Sequence, residues 1–133
     1  VKFRYDGESW IKAGTPFRGQ WGISQDNFGR LVYNSNSDHF RVDLVQADYF
    51  ARNPFLRAPE GANWKPVKSQ EVWPIRPNPG VNRGYRPEQL RNTDWTLASY
   101  TAACSPLVYR GDQFPARLVG DVFVCEPAGN LVR

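Results

Sequence analysis

Between Trp21 and Leu44 the chain carries three short apolar runs broken by two tight-turn signals. Trp21-Gly22-Ile23-Ser24 leads into Asp26-Asn27-Phe28-Gly29, and Arg30-Leu31-Val32-Tyr33-Asn34 leads into Ser35–Asp38. His39-Phe40-Arg41-Val42-Asp43-Leu44 follows. Each run is too short for a stable helix, and each boundary holds the Asp, Asn, Ser or Gly that a turn needs. The spacing predicts a compact antiparallel meander. The end of the chain repeats the plan, with strands over Pro106–Arg110 and Asp121–Glu126. There Pro127-Ala128-Gly129-Asn130 turns into a last strand from Leu131. Asn27–Val32 and Pro127–Val132 share a form, a Gly-containing turn feeding an apolar run.

The remaining segments read in the same style. Val1–Tyr5 and Trp10-Ile11-Lys12 flank Asp6-Gly7 and predict a hairpin. Gly14–Gln20 is a polar loop. Gln46–Arg52 is the one plausible helix, stopped by Asn53-Pro54 because the residue before proline avoids the α region. Ser69–Arg76 and Trp95–Thr101 are expected strands, separated by a long loop over Pro77–Glu88. Eleven Gly, eleven Pro and 14% aromatic residues fit short strands and many turns. Strand groups recurring at about 40–50 residues suggest propeller blades. On pattern alone, an irregular β-sandwich is the alternative.

The charge balance narrows the partners. Seventeen basic and thirteen acidic side chains leave a net charge of +4, spread thinly along the chain. No clustered basic patch or nucleic-acid motif is present, so nucleic acid is not an expected partner. No run approaches the ~18 apolar residues of a membrane span. There is no methionine and no signal peptide, and the chain stops inside a β-unit at Arg133. The expectation is one β-propeller fragment over residues 1–133, truncated at both ends.

Candidate functional residues fall in three places. Asn34-Ser35-Asn36-Ser37-Asp38-His39 packs amide, carboxylate and imidazole groups behind an apolar strand. Asn34, Asn36 and Asp38 match the first ligands of a calcium loop. However, His39 stands where Gly is needed and Val45 where Glu is needed, so no metal is expected. The segment is either a turn bonded to its own backbone or a pocket wall formed by Asn36, Asp38 and Arg41. His39, the sole histidine, is either a general base or a strand-edge residue. Second, Arg76, Asn82, Arg83 and Arg86 share a Gly- and Pro-rich loop. Arginine forks there suit carboxylates, unless the loop is a solvated connection. Third, Cys104 and Cys125 flank one loop and would pair in an exported protein, stabilising it by about 3 kcal/mol. The other reading is two buried thiols. Trp10, Trp21, Trp64, Trp73 and Trp95 have no spacing that marks a sugar platform, and packing between blades is their expected role. No nucleophile elbow, phosphate loop or zinc-type cluster is present.

Three stretches carry a family resemblance. They are Gly22–His39, Pro79-Gly80-Val81-Asn82-Arg83-Gly84-Tyr85, and Cys104–Arg133. In phrases and order they resemble the β-propeller region of membrane-bound dehydrogenases of planctomycete-type bacteria. Those proteins belong with the soluble quinoprotein glucose and sorbosone dehydrogenase-like propellers. The resemblance implies an all-β fold, with about two to three blades of a six-bladed ring and one short helix. It implies export to the periplasm or beyond the cell. It also implies an oxidoreductase acting on sugars or related alcohols, with a quinone or a fused cytochrome domain as electron acceptor. Pyrroloquinoline quinone is the implied cofactor, and its carboxylates would suit Arg76, Asn82, Arg83 and Arg86. His39 would be the base. A haem would lie outside this chain, which has no Cys-x-x-Cys-His. Without a firm catalytic set, a non-catalytic propeller binding a polysaccharide or partner protein remains the alternative. A small secreted disulfide-linked module is a third reading.

Overall fold

Among the described residues, short alternating strands pair in three small antiparallel sheets. The computed structural model describes residues 2–13, 19–76 and 87–133. The first sheet is a hairpin of β1 (Lys2–Tyr5) and β2 (Trp10–Ala13). Its turn is closed by Asp6, whose Oδ1 accepts the N–H groups of Glu8 and Ser9 at 2.9 and 2.8 Å. The second sheet joins β3 (Ile23–Gln25), β4 (Leu31–Ser35) and β5 (Asp38–Val42) in chain order. The third joins β6 (Cys104–Val108), β7 (Val122–Glu126) and β8 (Leu131–Val132) in the same way. Among the described residues the one α-helix, α1, covers only Ala47–Phe50. Short 3-10 turns occupy Pro87–Gln89, Ala116–Leu118 and Pro127–Gly129.

The two meanders pack on each other. Val32 and Val42 from the second sheet and Val108 from the third are buried together, with Phe40 and Val122 against them. A second cluster holds Val72, Leu97, Tyr100, Ala103, Val124 and Ala128, and Val122 packs against it as well. Val122 therefore ties the clusters into one core. Each fully buried valine or leucine of these clusters contributes about 1.5–3 kcal/mol.

A backbone crossing fixes how the meanders meet. Ser105 N–H donates to Trp21 O at 2.6 Å. A Cβ on Gly22 would lie 2.7 Å from Ser105 Cα, so only glycine permits the approach. Trp21 and Ser105 both take positive φ, 54° and 52°, to make it.

Two sequence expectations need correction. Ser69–Arg76 and Trp95–Thr101 are not regular strands. They meet only through the bridge Glu71↔Ser99, with N–H bonds from Val72 to Ala98 O and from Tyr100 to Gln70 O. Pro74 has no N–H to extend the ladder. Arg91 supplies the missing ties, donating from Nη2 to Val72 O at 2.6 Å and from Nη1 to Leu97 O. The tryptophans are the other correction. Trp10, Trp21, Trp64, Trp73 and Trp95 are all exposed, so they do not pack between the sheets.

Candidate functional site

The turn between β4 and β5 opens one wall of a cleft of about 850 Å³. Ser35 pairs with Asp38, which leaves Asn36 and Ser37 at the tip of a two-residue hairpin. Asn36, Asp38 and Arg41 all line the cleft. The facing wall comes from distant segments. It carries Glu88 and Gln89 from the 3-10 turn and Ser99 and Thr101 from the irregular stretch, and Gln70 and Asn63 complete it. Almost every lining group is an amide, hydroxyl, carboxylate or guanidinium.

Side-chain bonds hold this wall in place. Arg41 Nε donates to Asp38 Oδ2 at 2.6 Å, and Arg41 Nη1 donates to Asn63 O at 2.9 Å. Lys65 Nζ lies 3.5 Å from Asp38 Oδ1. Asn63 takes a positive φ of 52°. It is anchored by its N–H to Asp43 Oδ1 at 2.8 Å, and Tyr33 OH lies 2.9 Å from both Asp43 Oδ1 and Asn63 Oδ1. Burial first, then the bond to Asp43, pushes the Tyr33 phenol far above its usual value. Tyr33 is therefore a neutral donor to this network. Across the cleft, Gln89 Nε2 donates to Tyr100 O at 3.0 Å. Thr101 Oγ1 and Gln89 Oε1 lie 3.2 Å apart.

His39 sits elsewhere. Alternation along β5 sends residues 38 and 39 to opposite faces. His39 is 4% exposed and stacks on Tyr100, with ring centroids 4.4 Å apart and 8° between planes. Gln70 Oε1 accepts its backbone N–H at 3.0 Å and faces its Nδ1 at 2.8 Å. Gln70 Nε2 is spent on Val67 O and Ser69 O, both at 3.3 Å. His39 Nδ1 therefore carries the proton and Nε2 is the acceptor. Burial pushes the imidazole below the usual histidine value, against a smaller upward pull from Gln70, so the ring is neutral at neutral pH. Its outer side lines a smaller cavity of about 360 Å³ shared with Asp121 and Arg133.

The other candidates separate. Arg76 is exposed and does not line the cleft. Asn82, Arg83, Arg86 and most of the loop expected to hold a quinone lie outside the described residues. A polycarboxylate cofactor needs free guanidinium forks. Among the described residues the cleft offers only Arg41, whose Nε and Nη1 are already engaged. The described residues alone therefore do not fit that cofactor. They hold no group of three or more His, Cys, Asp or Glu placed to bind a metal ion. None of their helices is long and apolar enough to cross a membrane. Cys104 and Cys125 are direct register partners across β6 and β7, and both are unbonded thiols in the structure. Burial, then the neighbouring Cys125, raises the Cys104 thiol.

Sequence reasoning missed Gln70, Gln89 and Glu126. Glu126 is fully buried, and its carboxylate accepts the N–H groups of Thr101, Ala102 and Ala128, each at 3.0 Å. Burial pushes its carboxyl up, and these bonds pull it part of the way back. It shapes the turn that presents Thr101 to the cleft. The only signal was a lone Glu ending an apolar strand, and no spacing rule distinguishes that from a solvated end.

All of residues 1–133 match the family model described as a domain of unknown function, DUF7133, and the chain belongs to that family. No curated protein and no solved structure matches it.

Proposed function

We propose that this chain is part of an exported β-propeller of the quinoprotein glucose and sorbosone dehydrogenase-like kind. Its own contribution is a cleft that binds a sugar or related alcohol. The observation that carries the binding role is the lining of the 850 Å³ cleft by Asn36, Asp38, Arg41, Gln70, Gln89 and Thr101. Such a wall offers many fixed donors and acceptors, set among the carbon atoms of the same side chains and of Tyr100. It suits a ligand dense in hydroxyl groups, each of which both donates and accepts. The two three-stranded meanders packed through Val32, Val42 and Val108 support the propeller reading, because blades stack in this way. Oxidation of the bound alcohol rests on the family resemblance. His39 stands on the far face of β5 from Asp38, so the geometry favours ligand binding over base catalysis by His39 as this chain's role.

Titration calorimetry with a panel of monosaccharides and polyols tests the binding role. Binding that weakens by about tenfold in Asn36→Ala or Asp38→Ala supports it. A folded protein that binds none of the panel overturns it. Dye reduction by the full-length protein with pyrroloquinoline quinone tests the oxidative part. Turnover that depends on the quinone supports it, and binding without turnover moves the assignment to a non-catalytic scaffold.

A further inference from the structure

A second cavity of about 580 Å³ adjoins the cleft and shares Asn36 with it. Its walls differ in chemistry, with Trp21, Gly22, Ala102 and Pro127 making it mainly apolar. Trp21 is 72% exposed. Its indole is the largest apolar group in the lining of this cavity. Two other exposed tryptophans have ring or cation partners, whereas Trp95, 75% exposed, lines neither cavity. Trp10 packs on Tyr5 at 5.3 Å, and Arg91 lies over Trp73 at 3.7 Å. Among the described residues, no ring or guanidinium packs on Trp21.

The backbone beneath Trp21 is also held in an uncommon state. Its φ of 54° is disfavoured for a bulky residue. The segment is pinned on both sides, by Gln20 N–H to Asn34 O at 2.7 Å and by Ser105 N–H to Trp21 O at 2.6 Å. Gly22 against Ser105 blocks any slide of the chain. Strain held this way by surrounding structure is characteristic of ligand sites. The result is a rigid indole beside a polar cleft, with Asn36 at the junction.

One class of ligand matches both halves. A pyranose ring has a rim of hydroxyls and an apolar C–H face. The cleft offers partners for the rim, and an aromatic plane suits the face. We infer that the ligand is a saccharide chain of several units, with one ring held in the cleft and a neighbouring ring laid on Trp21. This rests on the reading of the cleft as a sugar site and adds the length of the sugar and the residue that senses it. Asn36 lines both cavities, so it is placed to bond the linkage between the two rings.

The test is titration calorimetry of the full-length protein with glucose, galactose, mannose and xylose and their linear oligomers up to the hexamer. Affinity is expected to rise about tenfold from monomer to trimer for the preferred sugar. Trp21→Gly removes the indole and adopts the left-handed φ at this position without steric cost, so the backbone here tolerates it. It is expected to abolish the gain with length and leave monosaccharide affinity unchanged. Trp21→Tyr is expected to keep part of the gain. Monosaccharide binding with no gain on lengthening, or a gain that survives Trp21→Gly, overturns the inference while the cleft reading stands. Failure of every sugar of every length to bind removes both.

Discussion

Gln70 Oε1 accepts both the backbone N–H and the ring Nδ1–H of His39, at 3.0 and 2.8 Å. One amide thus links a residue of the cleft wall to a ring in the core. Gln70→Ala leaves two buried donors without a partner, and is expected to cost about 1–3 kcal/mol. Urea unfolding of the two proteins checks it. An unchanged midpoint would show that the pair contributes nothing net.

His39 makes stability depend on pH. Its folded pKa is depressed, so the unfolded chain binds the proton more readily. The contribution is fully present above the ordinary value of 6.5 and is lost as pH falls from there through the folded value. Tm measured between pH 8 and pH 5 is expected to fall in the native chain, and to fall less in His39→Gln. Parallel curves would remove His39 as the cause.

Glu126 serves three backbone donors at once. In Glu126→Gln the amide oxygen can serve Thr101 and Ala102, but the amide nitrogen then faces the Ala128 N–H. The expected cost is about 1–3 kcal/mol, with Glu126→Ala worse because all three donors are orphaned. Denaturant midpoints rank them, and an Ala variant as stable as the Gln variant would contradict this account.

Gly22→Ala meets two obstacles, a φ of 136° and the backbone of Ser105 at 2.7 Å. Destabilisation of more than about 1 kcal/mol is expected. A thermal melt decides it. A neutral result would mean that the meanders can separate at this crossing without loss.

Cys104 and Cys125 stand opposite each other on paired strands, a placement that favours a bond under oxidising conditions. The expected outcome in protein recovered from an oxidising compartment is an intact mass lower by two hydrogens than after reduction. Bonding is expected to raise stability by about 2–4 kcal/mol. Alkylation of both thiols without prior reduction would count against pairing and against export.

Local pattern was enough for the hairpin of β1 and β2, for the meander of β3 to β5 and for the turn that carries Asn36 and Asp38. In each, the partners lie a few residues apart, and alternation with turn chemistry dictates the pairing. Alternation turns His39 away from Asp38 but would also put Arg41 on the His39 side; Arg41 instead reaches Asp38 with its long side chain, beside the register shift between Tyr33 and Ser35. Reading His39 as a site residue came from its chemistry and from the family resemblance. Ser69–Arg76 and Trp95–Thr101 had the composition of strands but depend on Arg91 and a single bridge, because Pro74 interrupts the ladder.

The β-rich character, the tight turns and the cluster of polar residues at the β4–β5 hairpin are legible in the amino-acid order. These follow from short-range sterics and side-chain period. That Gln70, Gln89 and Thr101 face that hairpin, that Glu126 is buried and that Trp21 stands exposed beside it emerges only in the folded chain. Those neighbours are far apart in the chain. They meet because burying Val32, Val42, Val108 and Val122 together draws the two meanders into contact, and no local rule records where such a contact falls.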